Sequence, residues 1–129
     1  MSNAAQVRKF LESLPAGIRQ RIQDELEAQA AIVARSMLLK VPRRSGNLQR
    51  SIRVEQVSPL RVAVKAGGPL TTKPVRKGAS VEYDYALAVE YGTQEQAAEP
   101  FFWKSWREKR RRVRAAIKRR VRQEVERRS

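Results

Sequence analysis

The side chains best able to do chemistry in this sequence are the basic residues near its end. Between Lys104 and Ser129 the chain carries 13 Lys and Arg residues against three acidic ones, Glu108, Glu124 and Glu126. This segment supplies about two thirds of a net charge of +15, and the sequence pI is near 11.3. A surplus of this size indicates a polyanionic partner: nucleic acid, an acidic protein surface or an anionic membrane.

The spacing of these basic residues favours a helix that a polyanion neutralises. Like charges repel at i,i+3 and i,i+4, the spacings found among Arg107, Arg110, Arg111 and Arg114. Phosphate contacts would relieve that repulsion in a salt-dependent way. The alternatives are a solvated helix face and an amphipathic helix at a membrane surface, although an apolar side of mostly Val and Ala makes insertion weak. The predicted polyanion-binding residues are Arg107, Lys109, Arg110, Arg111, Arg112, Arg114, Lys118, Arg119, Arg120 and Arg122.

Residues typical of catalytic and metal sites are scarce. The chain has no His and no Cys, so a nucleophile would lack its usual partner and zinc would lack its usual ligands. The Asp and Glu residues do not have the spacing of a calcium loop, and the glycine-rich KAGGPLTTK (residues 65–73) does not match a phosphate-binding loop. We therefore expect no enzyme, no cofactor and no metal.

Three helical segments precede the basic helix in the pattern of the sequence. Residues 4–14 have helical spacing, and from Ile18 to Val41 an apolar residue recurs every three or four positions, which predicts a long amphipathic helix. Residues 47–51 can add one turn. The last helix begins at Pro100 and would be about 45 Å long. We expect its distal half, about residues 107–129, to project from a compact body of about residues 15–106.

The period of the pattern changes to two between residues 52 and 66, which predicts a hairpin that turns at Ser58-Pro59. A third strand is predicted around Val81 to Tyr85. Residues 67–80 lack periodicity and predict a flexible loop. Its Lys73, Arg76 and Lys77 either belong to a simple connector or dock onto an acidic partner.

The predicted fold class is α+β, with a long N-terminal helix packed on a small antiparallel sheet of three to four strands and a long basic C-terminal helix. The 129 residues are expected to form a single domain. No run approaches the roughly 18 apolar residues of a membrane span, and the N-terminus lacks an apolar signal core. We expect a soluble intracellular protein with no membrane partner.

The stretch DYALAVEYGTQEQAAEPFF (residues 84–102) concentrates aromatic and turn-forming residues. Its ALAVEYG segment predicts a helix with a left-handed C-cap at Gly92. In one interpretation Tyr83, Tyr85, Leu87 and Val89 are core residues and Glu90 is exposed. In the other, the turn is buried in an assembly and Glu90 needs an arginine partner, for which Arg43 and Arg44 are candidates by type.

Three motifs, taken in order, resemble the tail-completion or head–tail joining family of long-tailed bacteriophages and prophages. PRRSGNLQRSI (residues 42–52) is similar to the family's early motif, YALAVEYGT (residues 85–93) to its later motif, and Pro100-Phe101 to the pair before its last helix. The resemblance covers about residues 20–110. The chain departs from the family pattern in the basic pair Arg43-Arg44 and in the long arginine-rich extension beyond residue 107.

The resemblance implies a structural virion protein of the phage neck or tail end, which joins or completes the tail as a homo-oligomeric ring of about six or twelve copies. It implies as partners other copies and neighbouring neck and tail proteins, with assembly in the bacterial host cytoplasm. The basic helix is expected to face either packaged DNA or an acidic surface of the adjoining head or tail ring. The alternative is a free nucleic-acid-binding protein that acts through its arginine-rich C-terminal helix. Aromatic residues and tight turns suit ring contacts, and the predicted interface residues are Arg43, Arg44, Gly46, Leu48, Tyr85, Glu90, Tyr91, Gly92, Thr93, Pro100, Phe101 and Phe102.

Overall fold

Two long helices organise the fold in the computed structural model, which describes residues 4–42, 46–74, 78, 82–94 and 96–128. The α+β class predicted from the sequence is confirmed. In chain order the elements are α1 (Ala4–Glu12), α2 (Ala16–Lys40), α3 (Asn47–Ser51), β1 (Arg53–Ser58), β2 (Arg61–Lys65), a 3-10 turn (Pro69–Thr71), β3 (Thr72–Pro74), β4 (Glu82–Asp84), α4 (Tyr85–Tyr91) and α5 (Phe102–Arg128).

Helix α2 has the apolar side that its sequence period predicts. Ile18 and Ile22 are buried near its start and Val33 and Met37 near its end, so that the helix takes part in two hydrophobic clusters. The first cluster joins Leu14, Ile18 and Ile22 to the partly buried Leu11, Leu26, Leu60 and Val121. The second, larger cluster contains Val33, Met37, Val41, Leu48, Ala86, Val89, Phe101 and Val113.

Helix α5 lies antiparallel along α2 over most of its length. Near the start of α5, Glu108 Oε2 is 2.9 Å from Lys40 Nζ, and near its end Glu124 Oε2 is 2.7 Å from Arg21 Nε. Val121 packs against the first cluster. The prediction that the distal half of this helix projects from the body is therefore wrong, because apolar and acidic residues spaced along one side of α5 hold it against α2.

The ion pair between Glu124 and Arg21 makes stability depend on pH. The hydrogen bond that Glu124 accepts from Arg21 holds the pKa of Glu124 below the ordinary value of 4.5. Glu124 therefore binds a proton less readily in the native state than in the unfolded state. Its contribution to stability is thus present above about pH 4.5 and is lost as the pH falls through the folded pKa. We expect the melting temperature, followed by circular dichroism, to fall less steeply below about pH 4.5 in Glu124→Gln than in the wild type.

The matched control for this experiment is Glu126→Gln, which removes a carboxylate from an exposed position two residues away. It should keep the wild-type pH dependence. Identical acid profiles for the wild type and Glu124→Gln would show that the pair with Arg21 does not contribute.

The predicted hairpin is confirmed. Strands β1 and β2 pair antiparallel from Arg53 opposite Lys65 to Ser58 opposite Arg61, with a register shift between Gln56 and Ser58. Leu60 takes a positive φ of 61° in the turn, and its N–H donates to Gln23 Oε1 of α2 at 2.8 Å. This bond and the side chain of Leu60 fix the hairpin on α2.

A second antiparallel pair joins β3 to β4, with Thr72 opposite Asp84. The predicted third strand is confirmed as β4, although Tyr85 already belongs to α4. Residues 72–74 were expected to be part of a flexible loop, and that expectation is wrong for them because they are paired as β3. Val81, Arg76 and Lys77 lie outside the described residues. Within the described part of the chain, no helix combines the length and the hydropathy that crossing a bilayer requires.

Candidate functional site

Helix α4 presents one buried and one exposed side. Ala86, Val89 and Glu90 are buried, whereas Leu87 and Tyr91 are 62% and 65% exposed. The interpretation with Leu87 in the core and Glu90 exposed is therefore wrong. It extended the two-residue period of a strand into a segment that forms a helix, where residues three and four apart share a side. The side chain of Tyr83 lies outside the described residues.

Glu90 binds the N-terminus of α5. Its Oε1 accepts hydrogen bonds from the backbone N–H groups of Phe101 at 3.0 Å and Phe102 at 2.9 Å, and its Oε2 accepts one from Trp103 at 3.1 Å. The first N–H groups of a helix lack partners within the helix, and the positive end of the helix dipole favours a carboxylate there. Backbone donors thus satisfy this buried group, while Arg43 and Arg44 lie outside the described residues.

The linker between α4 and α5 folds back tightly on α4. The Glu99 N–H donates to Val89 O at 2.8 Å, and the Thr93 N–H donates to Gln96 O at 2.8 Å. Gly92 has the predicted positive φ, 78°, but its ψ of 171° is not that of a left-handed helical cap. A Cβ at Gly92 would lie 2.8 Å from Ala98 N, so this close approach requires glycine.

The early motif contributes structural contacts to the same region. Gly46 precedes α3 with a φ of 79°, and Leu48 is buried in the cluster that also contains Ala86, Val89 and Phe101. The Ser51 hydroxyl donates to Leu48 O at 2.7 Å and accepts from the Gly67 N–H at 3.0 Å. The two motifs therefore lie side by side.

Asp84 fixes the junction of β4 and α4. Its carboxylate accepts hydrogen bonds from the Gly68 N–H at 2.7 Å, from the Ala86 N–H at 2.9 Å and from the Thr71 hydroxyl. Burial by itself would raise the pKa of Asp84, but the bonds from Thr71, Gly68 and Ala86 outweigh it and lower that pKa. Asp84 is thus a charged cap that orients α4.

An apolar patch stands out on the surface above this junction. We call Leu87, Tyr91 and Trp103, which is 46% exposed, the α4–α5 patch. The Trp103 indole N–H donates to the Tyr91 hydroxyl at 3.0 Å, so the two rings are held together. All three residues line a cleft of about 450 Å³, which also reaches Arg53 and Phe102.

The predicted interface residues divide by exposure. Leu48, Glu90 and Phe101 are buried within the subunit, whereas Tyr91, Thr93 and Pro100 are exposed. Gly46, Tyr85, Gly92 and Phe102 are half-buried, and Lys73 Nζ lies 4.6 Å from the centre of the Tyr85 ring. Leu87 and Trp103 are not among the predicted interface residues. The helical spacing of Leu87 from Tyr91 and the position of Trp103 beside Phe102 could have indicated them.

The predicted polyanion-binding residues are mostly exposed. Arg120 differs from the others because it is half-buried in the contact between α2 and α5. Its guanidinium lies 3.4 Å from Glu25 and 3.6 Å from Glu124. Lys109 is half-buried. The exposed residues of the set are Arg107, Arg110, Arg111, Arg112, Arg114, Lys118, Arg119 and Arg122.

The exposed features of this region are an apolar patch and a basic helix face, and the described residues hold no group of acidic side chains able to bind a metal ion. A protein-family model described as "Bacteriophage HK97-gp10, putative tail-component" matches residues 5–92, more than half of the chain. The protein belongs to this HK97-gp10-like family of bacteriophage tail components. No curated protein and no solved structure matches the chain.

The family match confirms the resemblance to a bacteriophage tail or neck family. As a tail component the protein is a structural part of the virion and contacts other tail proteins. The matched residues contain the early motif and most of the later one, and they end at Gly92. Pro100, Phe101 and the whole of α5 lie beyond the matched span.

Proposed function

We propose that this tail component is a non-enzymatic subunit of a closed homo-oligomeric ring at the neck or tail end, where it joins or completes the tail. The observation that carries the proposal is the α4–α5 patch. Leu87 and Tyr91 stand one helical turn apart on α4, and Trp103 of α5 is hydrogen-bonded to Tyr91. Large apolar side chains that cluster on a surface are typical of a protein–protein interface.

The composition of the patch suits a contact between subunits. Tyr and Trp are enriched among the residues that dominate binding energy, because each covers much area with few rotatable bonds. The patch adjoins a cleft that a side chain of a neighbouring subunit can enter. A patch on one side of a subunit that meets a different surface of the next gives a head-to-tail contact, and such contacts close into a ring when the rotation permits.

The ring proposal predicts that Leu87→Asp combined with Tyr91→Ser abolishes assembly and leaves the monomer folded. Both side chains are mostly exposed, so the subunit should keep its melting temperature. Loss of two residues that each contribute about 2 kcal/mol weakens each contact by about 700-fold if the two losses add. Sedimentation velocity and negative-stain electron microscopy should show closed rings of about six or twelve copies for the wild type and monomers for the variant.

A matched control is Leu39→Asp, which places the same charge at a leucine that is 79% exposed near the end of α2. This variant should assemble as the wild type does. Assembly of the double variant at wild-type concentrations would refute the role of the patch. A wild-type protein that stays monomeric beside its neighbouring tail proteins, and coats DNA in that state, would instead be a free nucleic-acid-binding protein.

A further inference from the structure

We propose that the outer face of α5 binds the phosphate backbone of double-stranded DNA without reading its sequence. The site is a row of six exposed cations, which we call the basic stripe. Successive members are three or four residues apart, so they lie on one side of the helix. The stripe consists of Lys104, Arg107, Arg111, Arg114, Lys118 and Arg122.

The acidic residues of α5 are mostly taken up by the fold. Glu108 pairs with Lys40 of α2, and Glu124, whose side chain is 0% exposed, pairs with Arg21. Arg120, half-buried on the side that faces α2, is occupied by Glu25 and Glu124. The contact with α2 thus buries Glu124 and pairs Glu108, whose side chain stays 45% exposed, with a lysine of α2. The stripe itself contains no acidic residue.

The geometry of the stripe suits a duplex. Residues 104 and 122 are about 27 Å apart along the helix axis, at 1.5 Å per residue, and a duplex presents phosphates along a comparable length in less than one turn. Four of the six cations are arginines, whose planar guanidinium groups bind phosphate oxygens in pairs. Because α5 is held along α2, the row is straight and fixed before any ligand arrives.

The stripe differs from the sites that bind single-stranded nucleic acid or an acidic protein. Proteins that bind single strands interleave aromatic residues with the cations, so that bases can stack. An interface with an acidic protein would combine a few charges with an apolar centre. Between Lys104 and Arg122 the exposed residues of α5 include no aromatic residue and a single small apolar one, Ala115. The stripe therefore fits a regular array of phosphates best.

The inference is tested by fluorescence anisotropy with a labelled duplex of about 20 base pairs, titrated from about 50 to 300 mM NaCl. If all six cations meet phosphates, the plot of log K against log salt has a slope of about −5. The stripe variant combines Arg107→Gln, Arg111→Gln, Arg114→Gln and Lys118→Gln. It should bind about 100-fold more weakly or worse, with a slope near −2.

The control variant removes the same amount of charge from exposed residues outside α5. It combines Arg8→Gln, Lys9→Gln, Arg35→Gln and Arg61→Gln, and it should keep the wild-type slope. Equal losses in the two variants would overturn the inference, because net charge alone would then explain binding. It would also be overturned if the single strand bound as tightly as the duplex, or if polyglutamate competed with the duplex at equal charge, which would indicate an acidic protein partner. Circular dichroism should confirm that every variant is folded.

The inference builds on the proposed role in the virion but does not require the ring. The Leu87→Asp/Tyr91→Ser monomer keeps the whole stripe and should bind the duplex with the wild-type slope per subunit. Duplex binding by this monomer with no rings in the wild type would refute the ring alone. Rings in the wild type without duplex binding would refute the DNA site alone.

Discussion

Glu90→Gln should lower the free energy of unfolding by about 2 kcal/mol, and Glu90→Ala by about 3 kcal/mol. The native carboxylate is buried and accepts three backbone N–H groups at the start of α5. Glutamine keeps the shape but replaces one acceptor oxygen with a donor and removes the charge that the helix dipole favours. Alanine leaves all three donors without this partner in a largely buried setting. Urea denaturation followed by circular dichroism measures both values.

The control is again Glu126→Gln, which removes a charge from an exposed position of α5 and should change stability by less than about 0.5 kcal/mol. Wild-type stability in Glu90→Gln would show that the three hydrogen bonds contribute nothing net. The expected loss also means that a Glu90 variant which fails to assemble says little about an interface, because folding itself is impaired. Leu87 and Tyr91 are the better positions for that question.

Phe101→Ala should be the most destabilising single change considered, at about 3–5 kcal/mol. The Phe101 side chain is 1% exposed, and it lies in the large cluster with Met37, Val89 and Val113. Its removal opens a cavity where α2, α4 and α5 meet, while its backbone N–H can still bind Glu90. The urea midpoint should fall sharply with an unchanged slope.

Phe101→Leu is the graded comparison, since it keeps an apolar side chain and should cost less than half as much as the alanine variant. A loss below about 1 kcal/mol in Phe101→Ala would contradict the central position of this ring. The expected result assigns Phe101 to the subunit's own core. Its neighbours Tyr91 and Pro100, which are exposed, remain candidates for the interface.

The helices and the hairpin could be predicted because their patterns are local. The stripe from Ile18 to Val41 and the alternation around Val62 and Val64 each reveal which side must be buried. The position of α5 could not be predicted in this way. It depends on the pair of Arg21 with Glu124, which stand 103 residues apart, and a run of arginines gives no sign that one of its few glutamates reaches the opposite helix.

The sequence drew attention to residues 84–102, but it did not reveal the contacts that Glu90 makes there. Glu90 was identified as a residue that needs a partner if buried, and side-chain types alone suggested an arginine. Its actual partners are backbone N–H groups, which every residue has and which a sequence therefore does not mark. One interpretation put Leu87 in the core because it continued the alternation of the strand beyond Tyr85. The chain changes from β4 to α4 between Asp84 and Tyr85, before the helical period can be recognised in the sequence.

Helix α5 is anchored near both termini, to Glu90 at its first residues and through Glu124 to Arg21 close to its last. A helix that is bound near both ends does not move as a free C-terminal tail. Folding of the subunit therefore fixes the position of the exposed cations of α5 relative to Tyr91. In a ring, each copy would repeat the same distance between the exposed patch and the cations. The guanidinium groups of all copies would then form a band at one level around the ring axis.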